Sequence, residues 1–435
     1  MIKEILKKIF PKYLLNHYHK LMAVSANIFY KQPSERMVVI GVTGTNGKSS
    51  TVSLIARVLE EAGHKVGATS TTLFKIGDKE WLNDKKMTMV GRFQLQKLLS
   101  QMVMAGCSHA VIETSSQGIE QFRHLGINYD VAVFTNLAPE HIEAHGGFEN
   151  YKRAKQKLFA RLSELKKKKL GGREVDKVIV VNGDDKHSDD FSKFKADHKI
   201  RFGMDGKQGV VASELSYKAD GIGFTVDSTQ FNLKLFGGFN VYNSLSAIAV
   251  SKGLGIDIEV CKKALEKVES IPGRMEFINE GQVFKVLVDY APEPESVKQL
   301  YKTIDDHNFV SGKLIHVLGS CGGGRDVVRR PILGKMAGEK ADYVIITNED
   351  PYDDDPMEII DSVVGGAIES GKVLDKNLFK IIDRREAIEK AVSLADEGDL
   401  VLLTGKGSEQ AIVLAGGKKM KWDEREVVRE VLKLK

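Results

Sequence analysis

The sequence contains few cysteines and no long apolar run. Its three cysteines, Cys107, Cys261 and Cys321, lie far apart and form no Cys-x-x-Cys pair. This spacing excludes a disulfide framework and a cysteine-based zinc site, and it fits a reducing cytoplasm. No uninterrupted apolar run approaches the roughly 20 residues of a membrane-spanning helix. No cleavage site follows the basic N-terminal region, so we expect neither a membrane span nor a signal peptide.

The main body also lacks an excess of charge of either sign. Seven Lys and Arg residues against two acidic residues give residues 1–36 a net charge of +5, which equals that of the whole chain. The remaining residues are therefore neutral overall, which argues against a nucleic-acid-binding body. Apolar residues at helical spacing predict one or two helices in residues 1–32, broken at Pro11. This arm either packs on the body or meets an anionic or lipid surface.

The body alternates strand-like and helix-like segments. An apolar run at 37–44 predicts a buried parallel strand, and residues 49–62 predict the helix after it. Further strands are predicted at 109–114, 130–136 and 177–185, and an antiparallel patch on the parallel sheet at 208–236. The charged run Lys166–Lys169 is expected to be a solvated helix end.

A second series of strands and helices begins after the Pro-Gly segment at 271–274. We therefore predict an α/β protein: a basic helical arm (1–37), a central domain with a mostly parallel sheet (38–273) and a C-terminal Rossmann-like domain (274–435). The length of 435 residues is consistent with two to three domains.

A glycine-rich loop, GVTGTNGKSS (41–50), stands between the first predicted strand and helix. Its successive N–H groups and the helix N-terminus can cradle phosphate groups. Lys48 can reach the β- and γ-phosphates, and the hydroxyl of Ser49 or Ser50 can hold Mg²⁺. Val42 stands where the usual spacing has its first glycine. The loop predicts a nucleoside triphosphate site, with these residues as contacts: Gly44, Thr45, Asn46, Gly47, Lys48, Ser49 and Ser50.

From residue 38 to about residue 425, further motifs resemble those of the Mur ligases, ATP-dependent enzymes that add amino acids to peptidoglycan precursors. The similarity is greatest to the branch that adds the third residue of the muramoyl peptide. The resemblance rests on these segments: TGTNGKSS (43–50), AVIETSSQG (110–118), NLAPEHIEAHG (136–146), ENYKRAKQKLF (149–159), VVNGDD (180–185), GGFNVYNSLSA (237–247), IPGRME (271–276), VDYAPEPES (288–296), CGGGRDVVRRP (321–331), NEDPY (348–352) and TGKGSE (404–409).

The resemblance implies roles for individual residues. Glu113 and His141 would bind Mg²⁺ together with Ser49, and Lys155 would be carbamylated by CO₂ and support the metal. Arg325 would stabilise the transferring phosphoryl group after domain closure. With Lys48, these make the candidate catalytic set. The implied nucleotide contacts are Asn182, Asp184, Asp185, Asn240, Asn243, Arg274 and Asp289, of which Asn243 is also expected to cap a helix. The implied substrate contacts are Thr88, Ser115, Ser116, Arg123, Glu349, Asp350, Pro351, Tyr352, Gly405 and Glu409.

Some positions depart from the family pattern. These are Gln117, Glu140, Pro292, Arg329, Tyr352 and Ser408. The change at Tyr352 bears on specificity, because the branch that adds meso-diaminopimelate has an arginine there that reads the distal carboxylate. Tyrosine cannot form such a charged clamp. We still expect diaminopimelate, with Arg384 or Arg385 supplying the cation. L-Lysine is the alternative, since acidic residues crowd this loop.

The resemblance implies an ATP-dependent amide-forming ligase of peptidoglycan precursor synthesis that is cytoplasmic and monomeric. Its partners would be a UDP-N-acetylmuramoyl-L-alanyl-D-glutamate-type acceptor and an amino acid, with no nucleic acid. Only about 37 residues precede the glycine loop, where this branch has a uridine-binding domain of roughly 90. The alternatives are therefore a ligase for another acceptor (a lipid-linked muropeptide, or a folylpolyglutamate- or cyanophycin-type substrate) and a non-catalytic nucleotide-binding scaffold.

Overall fold

The structure is a computed structural model that describes residues 12–140, 145–206, 209–324 and 327–434. A nine-stranded sheet runs through its first half. In chain order the strands of this half are β1 (Val38–Thr43), β2 (Val66–Thr69), β3 (Leu73–Ile76), β4 (Lys79–Leu82), β5 (His109–Glu113), β6 (Val131–Phe134), β7 (Lys169–Leu170), β8 (Arg173–Glu174), β9 (Val178–Asn182), β10 (His198–Gly203) and β11 (Val210–Val211). The sheet order is β11-β10-β9-β6-β1-β5-β2-β3-β4, and only β3 and β4 run antiparallel to their neighbours. Strands β7 and β8 form a separate hairpin.

Strand β1 lies in the middle of this sheet, parallel to β5 on one side and β6 on the other. Because helices cover both faces, its residues after the half-buried Val38 are all buried, as the continuous apolar run predicts. The described helices of this half are α1 (Lys12–Phe29), α2 (Lys48–Glu61), α3 (Arg92–Met104), α4 (Ser116–Glu120), α5 (Phe148–Glu164), α6 (Ser188–Ser192), α7 (Gly238–Gly253) and α8 (Ile258–Glu266). The arrangement places the carboxyl ends of β1 and β5 side by side, where open α/β sheets bind ligands.

The antiparallel patch predicted at 208–236 is a sheet of its own. It consists of β12 (Ser213–Lys218), β13 (Gly221–Val226) and β14 (Thr229–Leu233) in that order. Its strands pair with one another and not with the parallel sheet, since Val210 and Val211 already pair in parallel with β10. Phe224 and Phe231 anchor the small sheet in the core that includes α7 and α8.

A six-stranded sheet forms the second half. Its strands are β15 (Glu276–Ile278), β16 (Lys285–Val288), β17 (Leu314–Leu318), β18 (Tyr343–Thr347), β19 (Leu378–Ile381) and β20 (Leu400–Leu403), in the order β15-β16-β20-β17-β18-β19. Only β15 is antiparallel. The helices are α9 (Pro294–Asp306), α10 (Arg329–Lys340), α11 (Pro356–Glu369), α12 (Arg384–Leu394) and α13 (Glu424–Leu434), and a hairpin of β21 (Ala411–Val413) and β22 (Lys419–Lys421) follows β20. The predicted α/β fold class is confirmed.

Helix α1 packs on α3 through a small-residue face that contains Ala23 and Ala26. The predicted break at Pro11 lies outside the described residues. The opposite face of the helix is apolar and exposed. That face consists of Tyr13, Leu14, Tyr18, Leu21, Val24, Ile28 and Phe29. The helix therefore packs on the body and also presents an apolar surface to solvent. Within the described part of the chain, no helix is both long and apolar enough to cross a bilayer.

The expectation of a solvated helix end at Lys166–Lys169 is wrong for Lys168. Its ammonium is buried and donates to Met37 O at 2.8 Å and to Asp130 Oδ2 at 2.5 Å. Lys177 donates to the other oxygen of Asp130 at 3.1 Å, and the N–H of Val39 donates to Oδ2 at 2.8 Å. Two cations thus compensate a buried carboxylate, which no local charge pattern predicts.

Candidate functional site

A cleft of about 680 Å³ separates the two sheets. Its walls come from both halves of the chain: the loop after β1, Glu113 and Thr88 on one side, and Arg274 and Asp289 on the other. This arrangement brings the ends of the parallel strands of one sheet to face the other half. A substrate bound there would contact both bodies.

The glycine-rich loop joins β1 to α2 at the floor of this cleft. Gly47 has a φ of 78°, and a Cβ atom there would lie 2.3 Å from Asn243 Oδ1, so the position requires glycine. The N–H of Asn46 donates to Asn136 Oδ1 at 2.8 Å, and Lys48 Nζ donates to Thr45 O at 2.5 Å. The loop has the strand–loop–helix context that phosphate binding needs.

Glu113 ends β5 beside this loop and is almost completely buried. Its Oε2 accepts hydrogen bonds from Ser49 Oγ at 2.8 Å and from the N–H of Thr71 at 2.7 Å, while Oε1 accepts from Thr71 Oγ1 at 3.1 Å. A carboxylate next to a hydroxyl is a hard oxygen donor set, which suits Mg²⁺ held partly by phosphate and water. No cluster of three or more His, Cys, Asp or Glu residues was found among the described positions.

Lys155 lies inside the molecule and not on the surface of α5. Its side chain is 2% exposed, and Nζ donates to Gly44 O at 2.5 Å and lies 4.3 Å from the centre of the Tyr151 ring. Burial lowers the pKa of the Lys155 amine well below its usual value, and the nearby Lys48 ammonium lowers it further. Tyr151 in turn contacts the loop, its hydroxyl lying 3.1 Å from Thr45 Oγ1. The amine thus favours its uncharged form next to the phosphate loop.

Apart from Asp289, the residues expected around the nucleotide lie on three separate segments: 182–185, 240–243 and the segment of Arg274. Asn243 Nδ2 donates a hydrogen bond to Asn240 Oδ1 at 3.0 Å. Asn243 lies within α7, whose N-cap is Gly237, so the expectation that Asn243 caps the helix is wrong. Asn182 donates to Thr135 O, while Asp184 and Asp185 accept backbone N–H groups of Met204 and Leu137. The guanidinium carbon of Arg274 lies 4.4 Å from the centre of the Tyr290 ring.

Asp289 is buried and accepts the N–H groups of Met275 at 2.7 Å and Ala291 at 2.8 Å, and burial raises its pKa. These bonds hold the segment that follows the Pro-Gly turn. Asp289 therefore lines the cleft and also holds the backbone at Met275 and Ala291 in place.

Residues expected to hold the acceptor lie on and around α4. Ser115 is the N-cap of α4, its Oγ accepting the N–H of Gly118 at 3.2 Å, and Ser116 Oγ lies 3.1 Å from His145 Nε2. Arg123 donates to Gln121 Oε1 at 2.6 Å and to Met89 O. Burial, with the neighbouring Arg92, lowers the pKa of Arg123 to about 10. Arg92 and Arg123 thus concentrate positive charge beside this helix, a feature suited to an anionic acceptor.

The loop that contains Thr88 connects the two halves. Thr71 Oγ1 donates to Thr88 Oγ1 at 2.9 Å and also to Glu113, which links this loop to the carboxylate at the phosphate end. Two residues earlier, Lys86 Nζ crosses to the second half. It donates to Asp350 Oδ2 and Glu409 Oε2, both at 2.6 Å, and to Ala411 O at 3.0 Å. Sequence reasoning missed Lys86, because its partners lie more than 260 positions away.

Asp350 and Glu409, predicted from separate motifs, do meet. Lys406 Nζ also bridges them, at 3.1 Å to Asp350 Oδ1 and 2.9 Å to Glu409 Oε2. Beside them Glu349 is buried against Gly405, where a Cβ atom would lie 2.5 Å from its Oε2, and burial raises the pKa of Glu349 to about 7. Pro351 is buried, and Tyr352 is half-buried with a left-handed φ of 54°.

The expectation that Arg384 or Arg385 serves an amino-acid carboxylate is wrong. Arg384 is buried and bound to Glu424 at 2.6 Å, and it also donates to Asn348 O and Thr404 O. Arg385 pairs with Glu389 and Glu430 on the surface. Both guanidinium groups therefore have carboxylate partners already. His141 and Arg325 lie outside the described residues.

Two family models match the chain: the Mur ligase middle domain over residues 42–251, and the Mur ligase glutamate ligase domain over residues 273–407. Curated relatives match over nearly the whole chain. The UDP-N-acetylmuramoyl-L-alanyl-D-glutamate--2,6-diaminopimelate ligase of Geobacillus kaustophilus is 36% identical over 97% of this chain and 84% of its own length. The UDP-N-acetylmuramyl-tripeptide synthetase of Roseiflexus sp. is 38% identical over 94% of this chain and 81% of its own.

Solved structures agree in fold. A UDP-N-acetylmuramoyl-L-alanyl-D-glutamate--2,6-diaminopimelate ligase superimposes with a TM-score of 0.62 at 29% identity, covering 96% of this chain and 82% of that one. The folylpolyglutamate synthase of Mycobacterium tuberculosis superimposes with a TM-score of 0.67 at 17% identity, covering 91% and 94%. The latter likeness is one of fold alone.

Proposed function

Because the chain belongs to the Mur ligase family, we propose that it joins an amino acid to a muramoyl-peptide acceptor at the expense of ATP, in peptidoglycan precursor synthesis. It is an ATP-dependent acid–amino-acid ligase, and the added residue is diaminopimelate, as the names of several relatives state. The proposed acceptor is UDP-N-acetylmuramoyl-L-alanyl-D-glutamate, and the proposed location is the cytoplasm. The proposed division of the chain is 1–37, 38–273 and 274–435.

The observation that carries this proposal is the meeting of Lys48, Ser49 and Glu113 at the ends of β1 and β5, on a cleft whose far wall belongs to the second half. The reaction needs this geometry. The acceptor carboxylate attacks the γ-phosphorus of ATP, which gives an acyl phosphate and ADP. An uncharged amine of the incoming amino acid then attacks the acyl carbon, and inorganic phosphate leaves as the amide bond forms.

Each part of the cleft has a proposed task. The loop Gly44–Ser50 and Lys48 bind the triphosphate, while Asn240, Asn243, Arg274 and Asp289 surround the nucleotide. The family implies ATP and Mg²⁺; Ser49 and Glu113 offer suitable oxygens here, with His141 added by family resemblance, and the metal would neutralise phosphate charge. Thr88, Ser115, Ser116 and Arg123 hold the acceptor, and Arg325 assists phosphoryl transfer.

Lys155 is proposed to carry a carbamate. Its buried amine favours the uncharged form that attacks CO₂, and the product replaces a cation that Lys48 repels with an anion that Lys48 attracts. Such an anion would stand beside the phosphate loop, where it supports a divalent metal.

The proposed function is tested by ADP release from purified protein supplied with ATP, Mg²⁺, the UDP-linked muramoyl dipeptide and an amino acid. Release that requires both the acceptor and the amino acid is expected. Nucleotide binding without any release would instead favour a non-catalytic scaffold. Release with a folate or a lipid-linked muropeptide, and not with the UDP-linked dipeptide, would identify another acceptor.

We expect meso-diaminopimelate to be preferred over L-lysine and L-ornithine in the same assay. This order follows the relatives named for diaminopimelate, and the cation for its distal carboxylate is not Arg384 or Arg385, which have carboxylate partners. A Tyr352→Arg variant is expected to raise the preference for diaminopimelate about tenfold or more, because it restores a charged clamp. A higher kcat/KM for lysine or ornithine in the wild type would contradict this order.

We further propose that helix α1 rests on an anionic membrane surface. Its exposed apolar face includes Leu21 and Ile28, which are 65% and 62% exposed, and residues 1–36 have a net charge of +5. An apolar helix face flanked by basic residues matches an interface of apolar chains and anionic headgroups.

The protein is therefore expected to co-sediment with phosphatidylglycerol-containing vesicles at low salt and less so at high salt, because salt screens the attraction. A Leu21→Glu/Ile28→Glu variant should lose about tenfold or more in vesicle affinity. Val283→Glu, at an equally exposed apolar residue elsewhere, is the control.

Sedimentation velocity in the absence of lipid is expected to show a monomer. A dimer that this double variant dissociates would show that a second copy, and not a membrane, covers the helix.

A further inference from the structure

Lys86 makes a polar contact between the loop after β4 and the second half of the chain. Its ammonium has three acceptors, Asp350 Oδ2, Glu409 Oε2 and Ala411 O, within 3.0 Å. The Lys86 side chain is 6% exposed, so these bonds are shielded from water. Three shielded acceptors arranged around one nitrogen form a binding seat for an ammonium group.

Charge balance favours a cation in this seat. Two carboxylates, Asp350 and Glu409, share two ammonium groups, those of Lys86 and Lys406. If Lys86 withdrew alone, two shielded carboxylates would face a single cation, and an uncompensated buried charge is strongly unfavourable. Lys86 can therefore leave only when another cation takes its place.

The incoming diamino acid supplies that cation. Of its two amino groups, the one that attacks the acyl phosphate must be uncharged. Two carboxylates face the seat and attract an ammonium group, although burial opposes the charge and lowers the pKa of the Lys86 amine that fills it. The seat therefore suits the amino group that does not react.

Resting on the function proposed above, we propose that Lys86 is a specificity-determining residue: its ammonium occupies the seat of the non-reacting ammonium of the incoming amino acid, and only an amino acid with a second ammonium displaces it. An amino acid without this group would leave the carboxylates uncompensated on displacing Lys86. The protein thus selects a diamino acid because the second ammonium of the substrate has to displace the ammonium of Lys86.

Two features of the loop favour release of Lys86 over Lys406. Lys86 has a φ of 55°, a left-handed backbone that lysine rarely adopts, and it lies in the turn between β4 and α3. Burial lowers the pKa of Lys86, whereas Lys406 keeps its charge because the surrounding carboxylates raise its pKa. The same loop contains Thr88, which contacts Glu113 through Thr71. Release of Lys86 would therefore also affect the Glu113 carboxylate beside the phosphate loop.

Steady-state kinetics of a Lys86→Met variant test this inference. Because Lys86 competes for the seat, its removal should lower KM for diaminopimelate and for lysine about tenfold, with kcat little changed. Lys85→Met is the matched control, because Lys85 is the neighbouring residue and its ammonium contacts the exposed Asp84. A KM that rises, or a kcat that collapses at unchanged KM, would show that Lys86 holds the pocket together and does not compete.

Chemical labelling tests the inference without substitution or turnover. We expect reductive methylation of the wild-type protein, read by mass spectrometry, to spare Lys86 in the free protein and to modify it when diaminopimelate is saturating. Lys85, 43% exposed, should be modified in both states. Calorimetry under the same conditions reports whether the amino acid binds. If it binds and Lys86 stays protected, the Lys86 inference alone is overturned; if neither diamino acid binds, the proposed substrate class is wrong and the inference falls with it.

Discussion

Replacing Lys48 with alanine is expected to reduce turnover by roughly 10³-fold or more, because a positioned cation on the transferring phosphates provides several kcal/mol of stabilisation. The second lysine nearby cannot substitute for it. Lys155 is buried with a strongly lowered pKa and points to Gly44 O. Lys48 therefore supplies the positive charge within the loop. The measurement is the rate of ADP release at saturating ATP, acceptor and amino acid.

The fold of the Lys48→Ala variant should persist. Among the described residues the Lys48 ammonium donates one hydrogen bond, to Thr45 O in the loop just before its own helix. Thermal unfolding is thus expected within a few degrees of the wild type. Lys199→Ala, at an exposed lysine of β10, is the control for loss of a positive charge. Turnover close to wild type in the Lys48→Ala protein would remove the phosphate loop from the mechanism.

The second large effect is expected at Lys155. Alanine there should lower turnover by roughly 10²-fold or more, because the site loses the anion that supports the metal. Formate or acetate should restore part of the activity by placing a carboxylate in the space left by the side chain. A variant that merely failed to fold would not respond to these small anions. Lys157→Ala, on the same helix with its ammonium at the surface near Glu120, is the matched control.

The carbamate itself has a direct signature. Carbamylation joins the uncharged Lys155 nitrogen to the carbon of CO₂ and releases one proton. Because burial lowers the pKa of this amine, the uncharged form is available at a lower pH than for a surface lysine. A carbamate carbon signal is therefore expected in NMR spectra of protein equilibrated with ¹³CO₂, and it should vanish in the Lys155→Ala variant. Full activity of that variant, or loss without rescue and without the signal, would contradict the assignment.

The local sequence predicted the elements whose formation depends on residues close to one another along the chain. The apolar run of β1, the glycine loop and helix α2 were found within one or two residues of their expected bounds, because each depends on neighbours along the chain. The ends of β1 and β5 were expected to supply Lys48 and Glu113, and the parallel sheet places them together. Such predictions need only the rule that parallel strands end at one edge.

What the sequence did not predict depends on residues far apart. Nothing near Lys86 distinguishes it from Lys85, yet one lysine is shielded between two carboxylates and the other is at the surface. Arg384 looked available for a ligand until the structure showed Glu424 bound to it. Local charge patterns show that a charged side chain exists, but its partner is chosen by the tertiary fold.

The carboxylate of Asp130 has a consequence for how the chain assembles. It accepts the N–H of Val39 near the start of β1, the ammonium of Lys168 and the ammonium of Lys177 just before β9. A slip of one residue in any of these segments would leave a buried charge without its partner, at a cost of several kcal/mol. Misaligned pairings of these strands are thus penalised once the charges are buried. The Asp130 carboxylate, at the edge of the sheet opposite the phosphate loop, therefore favours a single alignment of the central strands.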